Sequence, residues 1–284
     1  MIPRLFERCP IGCDSGLRLT HITLPEGTLR QCHECGQLLS ACSPQQYSQA
    51  LDKWDTQTGT LPLTGAEIRY STVARRRLRH IRELLGRKPN FIRLLDVGCS
   101  SGAFLEIATA KGFAAEGVEP AVKPAATAQR AGLRVHSGTL SEQNFPDKSY
   151  DAITLFEIIE HLPSPRDMII ECRRILRRDG VIAINTPNAA SWTARVMGAR
   201  WEGFDLHKMG GHISFFNPAS LRLLAERCGL TVERLETRNV RFFEKGETAP
   251  LLYSMAKLGA ESLNLPSRWF DMGHDMLAFL RRKN

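Results

Sequence analysis

The sequence predicts an α/β fold, a doubly wound and mainly parallel sheet carrying a small metal-clipped unit at its N-terminus. Three observations predict it. The apolar run Leu94-Leu95 ends in Asp96, breaks into the small-residue loop Gly98-Cys99-Ser100-Ser101-Gly102, and continues as the helical pattern Ala103–Ala108. Strand-like and helix-like segments then alternate to the end of the chain, the pattern of parallel strands joined by right-handed crossovers. Ahead of both stand two closely spaced cysteine pairs.

In chain order, Cys9-x3-Cys13 and Cys32-x2-Cys35 are separated by 18 residues, the spacing of two knuckles closing a zinc ribbon over about residues 1–45. Gly12 and Gly36 supply the tight turns. Four thiolates leave no open position, so the expected site is structural; His33 and Cys42 are substitute ligands. Residues 46–63, polar with Gly59 and Pro62, read as a connector. A helix is expected over Ala66–Leu85, with Leu78, Ile81, Leu84 and Leu85 on one face and Gly86 past its end. Its other face carries Arg75, Arg76, Arg77, Arg79 and Arg82 and reads as a solvated face. Nucleic acid or an acidic small substrate are the competing readings, the first weakened because no aromatics interleave for base stacking.

Strands are expected near 92–97, 114–118, 133–136, 151–155, 180–185, 230–238 and 275–281, with ligands at the carboxyl ends of the central ones. Gly98 and Gly102 permit a sharp turn and close approach, and the helix start points N–H groups at whatever sits there. The spacing is G-x-x-x-G, with Ser100 where a dinucleotide loop would want its middle glycine. That loop suits a nucleoside without a pyrophosphate, S-adenosylmethionine above all, and argues against a nicotinamide dehydrogenase. Glu119, 23 residues past Asp96, stands where an acid accepts from both ribose hydroxyls. Asn217-Pro218 opens an amphipathic helix through Leu221, Leu224 and Arg227, ending at Gly229.

The stretches LLDVGCSSG, GVEP, SYDAITLFEIIEHLPSP, RRILRRDGVIAINTPN and GHISFFNPASLRLLAERCGL, spanning about residues 93–230, resemble the class I S-adenosylmethionine-dependent methyltransferases, in the family's order. Within these the closest resemblance is to small-molecule enzymes of the ubiquinone O-methyltransferase type and to relatives in natural-product and polysaccharide pathways. Ser100 and Arg178-Asp179-Gly180 depart from the usual GCGxG and KPGG. The resemblance implies a Rossmann-like seven-stranded sheet over 93–284, after the connector and Arg-rich helix of 46–92. It assigns Asp96, Gly98, Cys99, Gly102 and Glu119 to the cofactor, with Thr139 and Leu140 near the adenine and Phe156 against the methionine or adenosine portion. It associates Glu157, Glu160 and His161 with a Mg²⁺-like divalent ion and the acceptor hydroxyl, and sets His212 beside the acceptor. A helical turn from Phe156 would put Glu157 and His161 on one face, with His161 first among candidate bases and His212 second. The stretch 187–215, with Trp192, Met197, Trp201, Phe204 and four glycines, reads as a substrate lid, with plain packing or an interfacial segment as alternatives.

Composition bounds the rest. The 284 residues, 43% hydrophobic, suffice for a full core. No run of about 18 apolar residues predicts a membrane span, and no secretory start is evident, so cytoplasmic residence with reduced thiols is expected. Cys99, Cys172 and Cys228 lie in apolar contexts as core residues. The functional expectation is methyl transfer to a hydroxyl of a small-molecule, glycan or lipid-linked acceptor. The alternatives are a zinc-ribbon RNA methyltransferase, a carbon or nitrogen methyltransferase, and a cofactor-binding protein without catalysis. No [DNS]-P-P-[YF] follows the fourth strand, which removes one class of base methylation from the RNA reading.

Overall fold

A computed structural model describes residues 3–56, 64–242 and 259–283. At the N-terminus β1 (Leu17–Leu24), β2 (Gly27–Cys32) and β3 (Leu38–Leu39) lead into α1 (Pro44–Thr56) and α2 (Thr64–Leu85). Then come β4 (Arg93–Val97), α3 (Ala103–Ala110), β5 (Ala114–Glu119), α4 (Val122–Arg130), β6 (Val135–Ser137), β7 (Tyr150–Phe156), α5 (Pro165–Ile175) and β8 (Leu176–Pro187). The chain continues through α6 (Trp192–Met197), β9 (Ser214–Phe215), α7 (Pro218–Arg227), β10 (Leu230–Arg238), α8 (Asn264–Trp269) and β11 (Asp275–Arg282).

The main sheet has the order β10-β11-β8-β7-β4-β5-β6. Six strands point the same way, and β11 inserts antiparallel between β8 and β10. All seven expected strands form. Strand order reverses between β4 and β7, which opens a crevice at their carboxyl ends. Continuous apolar runs such as Leu94-Leu95 and Ala152-Ile153 form central strands because helices cover both faces. The helix at Asn217 also forms, closed by a capping box in which Asn217 and Ser220 each accept the other's backbone N–H.

Three expectations are corrected. Residues 44–56 are helical, so the polar stretch after residue 46 is not simply a connector; Gly59 and Pro62 lie outside the described residues. The Arg-rich face of α2 is not uniformly solvated: Arg75, Arg79 and Arg82 are exposed, whereas Arg76 and Arg77 are half-buried. Arg77 lies with its Cζ 4.1 Å from the centre of the Phe156 ring.

The third correction concerns the insertion after β8. It supplies β9, which pairs with β3 and completes a second sheet of order β1-β2-β3-β9. Gln37 Nε2 donates to Ser214 Oγ at 2.7 Å across this junction, both residues buried. Met197, Trp201 and Phe204 pack with Leu24, Leu29, Ala194 and Phe215, and Trp201 and Phe204 are each only 1% exposed. These aromatics are part of the core under the N-terminal sheet, while Glu202, Gly203 and Met209 of the same insertion line a cavity.

Candidate active site

Local geometry at the end of β4 follows from glycine. Gly98 and Gly102 have φ of 73° and 86°, and Ser100 between them has φ 48°, a region that costs a residue with a Cβ some strain. The N–H groups of Gly98 and Cys99 donate to Val118 O at 2.8 and 3.1 Å, stitching the turn to β5. A Cβ on Gly98 would stand 2.1 Å from Ile158 Cδ1, and one on Gly102 2.3 Å from Leu133 Cδ1. The glycines are therefore needed for the turn and for packing against Ile158 and Leu133.

Glu119 is buried at the end of β5. Its Oε2 accepts from Ser100 N and its Oε1 from Ala121 N, each at 2.8 Å, so this carboxylate locks the turn to the second strand. Asp96 is also buried and accepts from Thr154 Oγ1. Burial pushes its carboxyl up to about 7, against the pull of Thr154 and the Arg77 charge. The Cys99 side chain points away from the turn into a cluster with Leu105, Ala125, Ala128 and Val135, so only its backbone borders the cleft. Leu140 is likewise a core residue. Thr139 is exposed, but its N–H and hydroxyl both donate to Glu142 Oε2; an acid thus stands at this loop three residues beyond Thr139. Phe156 packs edge-on against Phe104, ring centres 5.0 Å apart.

Beyond β7 the backbone does not turn helically at Glu157. The strand runs through Phe156, Glu157 adopts φ 57°, and only Ile159–His161 forms a 3-10 turn. Glu157 and His161 therefore do not share a helix face. The Glu157 backbone N–H donates to Asn185 O at 2.8 Å, and its Oε1 accepts from Asn185 Nδ2. It lines a cavity of about 320 Å³ bounded by Val73, Arg76 and Arg77 of α2, the end of β8, and residues 203, 239 and 275. Burial, then the nearby Asp275 charge, raises the Glu157 carboxyl to about 7 despite Arg77 and Asn185.

Glu160, His161 and His212 bring ligand-capable atoms within 4.8 Å of one another, and Glu157 is outside that group. The two imidazoles stack edge-on at 4.6 Å. His212 Nδ1 lies 3.1 Å from Gly203 O; a carbonyl only accepts, so Nδ1 carries the hydrogen and Nε2, 3.8 Å from Glu160 Oε1, keeps its lone pair. Burial drives His161 down to about 3 and His212 to about 4, and holds Glu160 well above the carboxylate range. Burial thus disfavours the charged form of all three groups. Two imidazoles with one carboxyl are not the oxygen-rich set Mg²⁺ demands, and the expected Glu157–Glu160–His161 ion site is not assembled.

The four N-terminal cysteines do converge, their sulfurs within 4.8 Å of one another. Cys9 Sγ and Cys35 Sγ stand 3.7 Å apart; a tetrahedral zinc with Zn–S of about 2.3 Å has edges of about 3.8 Å. Gly12 and Gly36 take φ of 89° and 69° at the knuckles. His33 is exposed, and Cys42 packs with Phe6, Leu39 and Leu206 instead, so neither joins the group. The cluster fits a zinc-ribbon-like segment.

Sequence reasoning placed Arg77 on the wrong face and passed over Asp275. The signal for Arg77 was present: Ala74, Arg77, Leu78 and Ile81 follow the i, i+3, i+4, i+7 stripe, so a cation occupies a core-facing position. Asp275 opens an antiparallel strand far from the motifs and carried no such signal.

Residues 69–235, more than half of the chain, match a family described as a methyltransferase domain. Over 154 residues the chain is 28% identical to the ubiquinone biosynthesis O-methyltransferase of Thiobacillus denitrificans and 29% to that of Dechloromonas aromatica. Each match covers 50% of this chain and 66% of the relative, slightly under two thirds of its length. Among solved structures, a SAM dependent methyltransferase from Archaeoglobus fulgidus superposes with TM-score 0.52 at 19% identity, over 74% of this chain and 93% of that one. The 1,6-didemethyltoxoflavin-N1-methyltransferase of Burkholderia thailandensis, solved with S-adenosylhomocysteine, gives TM-score 0.53 at 14% identity, over 89% and 98%. At such identities these likenesses speak to the fold. Among the described residues no helix is long and apolar enough to cross a membrane.

Proposed function

The chain belongs to the methyltransferase-domain family, and from that premise we propose that it transfers the methyl group of S-adenosylmethionine to a hydroxyl of a small-molecule, glycan or lipid-linked acceptor. The observation that carries this reading is the position of Glu157. A solvent-accessible carboxyl, in a left-handed conformation rare for a residue with a Cβ, borders a ligand-sized cavity one strand away from the glycine turn.

The residues fit the cofactor. Glu119 would take the ribose hydroxyls, since a carboxylate oxygen that accepts one backbone N–H retains a second lone pair. Asp96, with the Gly98–Gly102 turn and Phe156, would line the amino-acid and adenosine portions. The cofactor supplies an already activated methyl group, so the protein has to align the acceptor and remove a proton. Glu157, lifted to about 7, is suited to take that proton near neutral pH. His161 and His212 are held weakly basic by burial. The His212 ring donates to Gly203 O at 3.1 Å, and backbone contacts join the turn to its surroundings, Ile213 N donating to Glu160 O at 3.0 Å and Tyr47 Oη to His161 O at 2.7 Å. Cys9, Cys13, Cys32 and Cys35 would hold one structural Zn²⁺.

Calorimetry with S-adenosylhomocysteine tests the premise. Wild type should bind it, and Glu119→Ala should weaken binding at least tenfold. Absence of heat with either the methyl donor or its demethylated product would overturn the proposal.

A further inference from the structure

We propose that the 320 Å³ cavity beside Glu157 is the acceptor pocket and that it selects acceptors bearing an oxyanion, read by Arg76 with Arg77 at the boundary toward the cofactor cleft. The inference rests on the methyltransferase reading and adds a substrate class to it.

The cavity lies at the carboxyl ends of β7 and β8, adjacent in the sheet to β4 and its glycine turn, and its size is that of ordinary ligand sites. Its lining holds three cations, Arg76, Arg77 and Arg241, and three acids, Glu157, Glu202 and Asp275. Each acid already has a donor. Glu202 accepts from Arg241 at 2.6 Å and from Lys208 at 3.2 Å, Asp275 from Asn239, and Glu157 from Asn185. Arg241 is committed as well, its second contact being His274 Nε2 at 2.8 Å.

Arg76 and Arg77 are different. The Nε of each is buried with no hydrogen-bond partner, and neither joins an ion pair among the described residues. Arg77 lies face-on to Phe156, a contact that leaves its in-plane N–H donors unspent. Charges drawn out of water are normally paired, so two adjacent half-buried guanidiniums that line one cavity and join no ion pair among the described residues favour an anion from outside the chain. Arg77 also lies toward Asp96, and so borders both ligands. Arg76 has Arg238, Glu236, Arg77 and Asp275 as its charged neighbours and, unlike Arg77, neither Asp96 nor Glu157 among them, which makes it the better reporter on the acceptor. Burial lowers its guanidinium to about 10, the mark of a poorly solvated site where an oxyanion binds strongly.

The test is calorimetric titration of the full chain, saturated with S-adenosylhomocysteine, with phenyl phosphate, benzoate and neutral benzyl alcohol. At least one anion should bind tenfold or more tightly than the alcohol; the tighter one separates a phosphoryl from a carboxylate acceptor. Arg76→Gln should weaken that anion at least tenfold and Arg76→Lys by less, keeping the charge without the fork, while exposed Arg79→Gln leaves it unchanged. Anions no better than the alcohol, or equal affinity in wild type and either Arg76 variant, would overturn the inference. Repeating the titration without cofactor separates the two readings. Anion heat with no heat for S-adenosylhomocysteine would refute the methyl-transfer proposal while keeping the anion pocket.

Discussion

Glu157 shows how much chemistry a single backbone angle can redirect. With φ in the left-handed region it leaves the line of β7 and turns its carboxyl toward Asn185 and the cavity, where burial and Asp275 raise its pKa and Arg77 restrains the rise. Glu157→Gln should therefore lower kcat/KM by about 10²-fold or more while S-adenosylhomocysteine affinity stays within about twofold. The sign of the pH effect follows. A base must be ionised, so kcat/KM should climb as pH rises toward about 7 and level off above it, and Glu157→Gln should abolish that acid limb. The charges of Arg77 on α2 and Asp275 on β11, and the hydrogen-bonding groups Asn185 and Glu160, shift the midpoint without changing its direction. A flat profile in wild type would remove Glu157 as the base. The residue types of this site were legible in the sequence and their placement only partly so. Helical spacing predicted a shared face for Glu157 and His161, but the left-handed break after the strand discards that spacing.

At the scale of elements the insertion after β8 is the instructive case. Large apolar groups interleaved with glycine suggested a mobile cover, yet two of the glycines, Gly203 and Gly211, stand in close packing. A Cβ on Gly203 would stand 2.6 Å from the Trp201 ring, and one on Gly211 3.0 Å from Leu51. The central strands of the main sheet were readable from apolar runs such as Leu94-Leu95 and Val181–Ile184. A two-residue strand such as β9 carries no period, and its partner β3 lies far away in sequence, so the joining of insertion and N-terminus was hidden. If the insertion is core, Trp201→Ala should cost about 3–5 kcal/mol of stability, measured by denaturant unfolding. Hydrogen exchange at the Ile213 and Ser40 amides, bonded to Glu160 O and Ile213 O at 3.0 and 2.9 Å, should match the central strands in protection. Rapid exchange there would restore the lid.

For the whole molecule, the question is whether the zinc-ribbon-like segment is a separate unit. Cys9, Cys13, Cys32 and Cys35 belong to the same buried cluster as Ile169 and Cys172 of α5 and Leu221 and Leu224 of α7. Arg227 at the end of α7 donates to Gly12 O and pairs with Glu34, and Asn217 Nδ2 donates to Cys35 O at 3.4 Å. The knuckles thus rest on helices that also cover the main sheet, and β9 ties the N-terminal sheet to the turn holding Glu160. Buried thiols stripped of a metal lose the bonds that organise them, and structural zinc contributes its binding free energy to folding. Purified protein should carry about one equivalent of zinc, and Cys35→Ser should lose it. Because the cluster shares the main core, the apo protein should unfold in a single calorimetric transition shifted down by roughly 10 °C or more, a loss of a few kcal/mol at about 2–4 °C each. Two resolved transitions, with the upper one unmoved by chelation, would instead identify an independent ribbon attached to a self-sufficient methyltransferase domain.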